Sequence, residues 1–521
     1  MKATPVSKDE LVDVIEWAVK EGLPVRAVGS GHSHSGCARP RQMFVDISAI
    51  NGPFDRVDWL KGHPTGLAAG EKLLRVKTGT TVKALNRLHL HTMNPPLGLP
   101  NMGTFDGQTL AGAIGTGTHG TGMRLGSLAD MVVSMDVVTV TKKADRSPEV
   151  QLRRIEPTNG VTDRAAFDRE RAKHGMLLEQ NDDLFYAMVV SFGCMGIVYA
   201  YTLKVPDEYW LKEETGCIEW PRLSAQLSST TTIPGVGTVP TVADSARHVW
   251  FMLNIAEMQG ADKTPSPACF FIKRDIANAV GEPDHWHRAW PPERRSDFWK
   301  EVAQDWGGLD RSRSHAGVGK KIRNNFVNND VGKPAFQGDH WSSVSYIAHR
   351  REQEDKREDD APEAPPPALS IEFAVPATDI VTAVNTAVDC VERSQFFFIS
   401  PWGVRFSAAS KHYLSPAYGR ASAWLEVVFA LPTPVFHPEK RLEEVRDAIA
   451  KPELTRIEAA LCYQSGLEGR PHLGKHNTLN RARLERLFPK FDTWLAAYKR
   501  FNALGTFDSV FTDQLGVPGV R

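Results

Sequence analysis

The segment Asp106–Gly122, DGQTLAGAIGTGTHGTG, holds six glycines in 17 residues and constrains the fold more than any other stretch. Glycine loses more backbone freedom on folding than any other residue, so such density marks main chain that lies close against something else. Two more glycine turns flank it. Gly29-Ser30-Gly31-His32-Ser33-His34-Ser35-Gly36 follows an apolar strand, and Gly193-Cys194-Met195-Gly196-Ile197-Val198 leads into one. A strand ending in such a turn can converge backbone N–H groups on an anion. The first turn is neither a G-x-G-x-x-G fingerprint nor a G-K-[ST] phosphate loop. Each loop alone reads as readily as a tight turn. Two anion-cradling loops in one domain suit a long diphosphate cofactor, with Thr116, Thr118 and Thr121 offering hydroxyls.

Around these loops, residues 7–21 read as a helix opened by a Ser7/Glu10 capping box, with Leu11, Val14, Ile15, Ala18 and Val19 on one face. Strands are predicted at 24–28, 43–47, 74–77, 131–141 and 193–205, and helices at 82–91 and 184–190. The first 205 residues are therefore an α+β or α/β unit built around glycine loops. Beyond Pro206, strands are predicted at 247–255, 368–376, 396–400 and 424–431, and helices at 440–450 and 481–500. Residues 280–345 are rich in Trp, and REQEDKREDD at 351–360 carries nine charges in ten, a solvated linker or loop. A chain of 521 residues is long enough for two or three domains.

The 62 basic and 62 acidic residues cancel, which argues against a nucleic-acid surface. No apolar run approaches the ~20 residues of a membrane span. The polar N-terminus lacks a signal core, so a cytoplasmic location is expected. Six scattered cysteines suggest neither zinc nor disulfides. Cys37, five residues after His32, is either a small buried hydrophobe or an attachment point for a cofactor. The pairs His89/His91, His285/His287 and His32/His34 lack a third ligand, so no metal is expected.

The order GSGHS, DGQTLAGAIGTGTHGTG, GCMGIVYAYTLKV resembles the FAD domain of the vanillyl-alcohol-oxidase superfamily. Gly469-Arg470-Pro471-His472-Leu473-Gly474-Lys475 resembles the His-Trp-x-Lys element of its aldonolactone and alditol oxidase branch, and Leu414–Arg420 also resembles that branch. The resemblance implies an α+β fold: a two-lobed FAD-binding domain over 1–207, an antiparallel-sheet cap over 208–465 with the charged loop near 351–368, and a C-terminal segment, 466–521, returning to the flavin. It implies FAD bonded covalently to His32. It places the pyrophosphate at Gly29, Ser30, Gly31, His32 and Ser33 and at Ala113, Thr116, Gly117, Thr118, His119 and Gly120, and the adenine near Gly193, Gly196, Ile197 and Val198.

The same resemblance makes Lys475 the cation beside the flavin's pyrimidine edge, with His472 in the same element. Arg405 matches the arginine of the family's Glu-x-Arg element, but Gly403 stands where the family has the glutamate. Glu426, on the following strand, either faces the flavin and takes the substrate's hydroxyl proton or points outward as a surface charge. The implied reaction oxidises a CH–OH carbon of a polyol, sugar or aldonolactone by hydride transfer to flavin N5, with oxygen as acceptor and hydrogen peroxide as product. The alternatives are a dehydrogenase with another acceptor, a bulkier metabolite or sterol as substrate, and a flavin-binding protein that does not catalyse.

Overall fold

The computed structural model describes the chain except residues 55, 63–66, 68, 91, 256–267, 278–335, 340–367, 395, 397, 431–441, 465 and 519–521. The pairs His89/His91 and His285/His287, nearly all of the Trp-rich 280–345 region and the charged stretch before Ala368 thus fall wholly or partly outside the described residues.

The helix Lys8–Lys20 starts where the sequence predicts. Ser7 accepts the Glu10 N–H at 3.2 Å, while the Glu10 carboxylate takes the Val6 N–H instead of completing the box on Ser7. Leu11, Ile15 and Ala18 are fully buried. It packs beside a three-stranded parallel sheet ordered Lys2–Ala3, Met43–Asp46, Val25–Val28. A five-stranded sheet follows, in the order Glu71–Lys77, Ile197–Pro206, Val132–Lys142, Pro148–Glu156, Leu177–Gln180. Its central strand, VVSMDVVTVTK, is β-branched and buried along nearly its whole length, which is what a covered strand requires.

The glycine-dense segment is not an open loop throughout. Thr109 caps a short helix, Leu110–Gly115, and the amides of Thr116, Gly117 and Thr118 close it by bonding to Gly112, Ile114 and Ala113 carbonyls. Those three amides are therefore occupied within the chain. Gly29 is needed for packing: a Cβ there would stand 2.0 Å from Thr109 Oγ1, the capping oxygen. Gly29→Val is therefore expected to cost about 1–3 kcal/mol by overpacking and by unseating the cap, read as a lower denaturant midpoint at unchanged m.

The second large sheet has eight antiparallel strands: Phe336–Asp339, Trp210–Ile218, Cys269–Ala277, His248–Leu253, Ile399–Ser407, Ser422–Ala430, Ala368–Pro376 and Arg470–Pro471. Strand side chains alternate between faces. On one face Phe251, Val404, Phe406, Leu425, Val427, Ile371 and Phe373 form a core with the helices Trp220–Ser228, Ile380–Glu392 and Lys451–Ala459. The register puts Trp250, Met252, Gly403, Arg405, Trp424, Glu426, Ser370 and Glu372 on the other face. The C-terminal helices Arg481–Leu487, Phe491–Phe501 and Val510–Gln514 return to the first lobe, where Trp494, Tyr498 and Phe511 share a core with Met188, Val190 and Phe192. No helix among the described residues is long and apolar enough to cross a membrane.

Candidate active site

A cleft runs between the first glycine turn, the short helix and the third glycine turn. Of the residues assigned from sequence to cofactor binding, Gly29, Ser30, Gly31, His32, Ser33, Thr116, Gly193, Gly196, Ile197 and Val198 line it; Ala113, Gly117, Thr118, His119 and Gly120 do not. Gly31 has φ +72° with nothing near its missing Cβ, so the turn needs glycine for conformation, not space. The amides of Ser30, Gly31 and Ser33 donate to no protein group among the described residues. His32 faces this cleft with its ring edge-on to Phe105, centroids 4.0 Å apart. Unpartnered amides on one wall and a buried cationic side chain, Arg26, on another fit an anionic dinucleotide such as FAD.

The C-terminal segment zips the cleft to the eight-stranded sheet. His472 N–H donates to Glu372 O at 2.8 Å and His476 N–H to Ser370 O at 3.0 Å. From the first glycine turn, His34 N–H reaches Gly474 O at 2.8 Å and Ser35 Oγ reaches Leu473 O at 2.7 Å. His34 Nδ1 in turn accepts the Ser370 N–H at 3.1 Å. Three segments far apart in sequence thus meet beside Lys475.

There the charges pair. Lys475 Nζ donates to Glu426 Oε1 at 2.6 Å. Arg405 lies 3.5 Å from Glu426 Oε2 through Nη2 and 3.6 Å from Glu372 Oε1 through Nη1. Glu426 sits directly across from Gly403 in the strand register, and Glu372 directly across from Glu426 on the other side. Of the two orientations open to Glu426 from sequence, the inward one is found. A Cβ at Gly403 would already meet Trp250 Nε1 at 3.3 Å, so the indole occupies the side of the strand where a residue-403 carboxylate would start.

Burial favours the neutral form of Glu426, but Lys475 and Arg405 outweigh it and hold the carboxyl below its ordinary range. Glu372, more deeply buried, is held well below that range by His119, Arg405 and Lys475 against the same penalty. Lys475 is raised: burial opposes its charge, and the two carboxylates overcome it. Burial lowers His472 to about 4, and its Nδ1 accepts the Gly474 N–H at 3.0 Å, so its neutral ring carries the proton on Nε2.

His119 belongs to this cluster and not to the cleft. Its Nε2 lies 3.2 Å from Glu372 Oε1 and its Nδ1 2.9 Å from Gly120 O. The ring stacks on Trp424 at 3.6 Å between centroids. Sequence reasoning missed Glu372, Trp424 and Trp250. The first had a signal: it is the one charge in the strand ALSIEFAVP. Among the described residues, no group of three or more His, Cys, Asp or Glu side chains is placed to hold a metal ion.

Residues 1–143 match the FAD binding domain family and residues 367–515 the D-arabinono-1,4-lactone oxidase family. L-gulono-1,4-lactone dehydrogenase of Mycobacterium tuberculosis is 24% identical over 515 residues, 98% of this chain and 94% of its own. L-gulonolactone oxidase of Bos taurus is 26% identical over 215 residues, 40% of this chain and 38% of its own. A solvent-stable cholesterol oxidase shares the fold, with a TM-score of 0.66 at 16% identity, covering 99% of this chain and 94% of that one. The protein is an FAD-dependent oxidoreductase. An FAD binding domain model thus matches its first part and a D-arabinono-1,4-lactone oxidase model its last.

Proposed function

We propose that this chain oxidises the CH–OH carbon of an aldonolactone, the chemistry named for its relatives, with residues 1–207 holding FAD, 208–465 forming the substrate side and 466–521 closing the site. The observation that carries this reading is the meeting of Lys475, Glu426, Arg405 and Glu372 on the sheet face beside the His34 turn. FAD, when bound, supplies the two-electron acceptor. Arg405, fixed between two carboxylates, presents its remaining N–H groups to the oxygens of a lactone or polyol. Glu426 accepts the substrate hydroxyl's proton, and Lys475 stabilises negative charge developing next to it. His472 donates from Nε2.

His32 is proposed as the covalent tether of the flavin, on the strength of its place in the cleft wall and of the motif around it. Acid precipitation of the purified protein is expected to leave flavin in the pellet, and His32→Ala to release it to the supernatant. Flavin released from both would mean a non-covalent site.

A carboxylate held below its usual range stays ionised through neutral and mildly acidic pH, and activity is lost as pH falls through its folded value. The acid limb of kcat/KM for the parent enzyme is therefore expected below the ordinary glutamate range. Removing Lys475, the larger of the two cationic influences, moves that limb to higher pH. An unmoved limb in Lys475→Met would show that Glu426 is not the group titrating.

Oxygen is the acceptor in the primary reading, giving hydrogen peroxide. A second reading, an acceptor other than oxygen, is favoured by the full-length similarity to a protein named a dehydrogenase, whereas oxidase relatives match about 40% of the chain. Incubation with L-gulono-1,4-lactone and D-arabinono-1,4-lactone tests both. Peroxide release in air supports the oxidase, and turnover only with an artificial dye supports the dehydrogenase. No turnover of any aldonolactone with either acceptor sinks the substrate assignment.

A further inference from the structure

Arg26 sits in the strand Val25–Val28 with 4% of its surface exposed, on the wall of the cofactor cleft. One of its terminal nitrogens donates to Phe192 O. Its Nε and Nη1 have no partner among the described residues. No carboxylate pairs with it among the described residues, and burial pushes its pKa below the ordinary arginine value. Its guanidinium packs 5.6 Å from the Phe192 ring, and Nη1 lies 3.8 Å from where a Cβ of Gly193 would be.

A buried guanidinium with two unused N–H directions and no counter-charge is among the costliest arrangements a fold can keep. Such a group persists where its partner arrives from outside the chain. The cleft wall it stands on is the one that the proposed FAD occupies, and the anionic part of that molecule is its diphosphate. The amides of Thr116, Gly117 and Thr118 at the end of the short helix are already bonded within the chain and offer that charge no donor.

We propose that Arg26 is the anion anchor of the cofactor site, its free guanidinium N–H groups meeting the diphosphate of the bound dinucleotide. The proposal rests on the FAD reading of the cleft and assigns a binding role to a residue outside the glycine motifs. It also implies that Arg26 destabilises the chain without cofactor and stabilises it once cofactor is bound.

The test uses the full-length His32→Ala chain, stripped of flavin and titrated with FAD, ADP and adenosine, with and without Arg26→Met. Losing a charge-assisted contact is expected to weaken FAD and ADP at least about tenfold, to leave adenosine unchanged, and to be partly repaired in Arg26→Lys. The melting temperature of the flavin-free Arg26→Met chain is expected to equal or exceed its parent's, while the rise on adding FAD shrinks. Unchanged FAD and ADP affinities would overturn the proposal and leave the cleft reading intact. Equal weakening of adenosine, or a fall in flavin-free melting temperature, would make Arg26 a structural residue and also overturn it. If the His32→Ala parent binds neither FAD nor ADP, the cleft reading itself fails and the proposal falls with it.

Discussion

Replacing Lys475 with methionine is expected to lower kcat by roughly 10²–10³-fold, the usual consequence of removing a preorganised charge that stabilises a transition state. Two effects combine. The cation that would face developing negative charge is gone, and Glu426 loses its 2.6 Å partner while staying buried beside Glu372. The carboxyl then binds a proton more readily, which moves the acid limb upward as described above. Lys475→Arg keeps the charge with a different shape and is expected to recover part of kcat. If kcat holds and only KM rises, Lys475 contributes binding common to ground and transition states and is no part of the chemistry.

Glu372→Ala is expected to cost about 3–5 kcal/mol of folding stability, because it removes a buried carboxylate from the charged cluster and leaves Arg405 with one carboxylate instead of two. Glu372 is 4% exposed and lies within 3.2 Å of His119 Nε2 and 3.6 Å of Arg405 Nη1. His119 loses this partner, Arg405 keeps only Glu426, and Lys475 loses one of the two carboxylates that keep it protonated. Glu372→Gln retains an acceptor oxygen for His119 and is expected to cost less. Chemical denaturation with unchanged m reads the difference. A loss within about 0.5 kcal/mol, the range of an ordinary surface substitution, would mean that the charges are solvated and the network is not the buried one described.

Much of this site was legible in sequence because its chemistry sits in motifs of fixed spacing. The turn Gly29–Gly36 announces itself by its glycines and the segment Gly469–Lys475 by its family resemblance, and the structure joins them through His34 and Gly474. Glu426 was legible as a candidate but not in its orientation, which depends on the register with Gly403 across the sheet. The helix Leu110–Gly115 was hidden inside its own glycines, and its cap, Thr109, reads as one more polar residue until Gly29 is seen packed on it. The strands Pro148–Glu156, Trp210–Ile218 and Cys269–Ala277 and the helix Ile380–Glu392 were not foreseen. The first two interleave charged residues with apolar ones, and the register that gives them meaning lies in neighbours far along the chain. Glu372 and His119 were hardest to place, since neither has a role until the fold brings together two lobes and residues 253 positions apart.

The central claim is that the Lys475–Glu426–Arg405 face oxidises an aldonolactone beside bound FAD. Its most direct test is anaerobic mixing of the purified yellow protein with L-gulono-1,4-lactone and with D-arabinono-1,4-lactone while the flavin's visible absorption is followed. The account predicts rapid bleaching of the band in the parent protein with at least one of the two, and bleaching slowed roughly 10²–10³-fold in Lys475→Met. This holds whether oxygen or another acceptor reoxidises the enzyme. A band that stays unbleached with every aldonolactone, or that bleaches equally fast without Lys475, would contradict it.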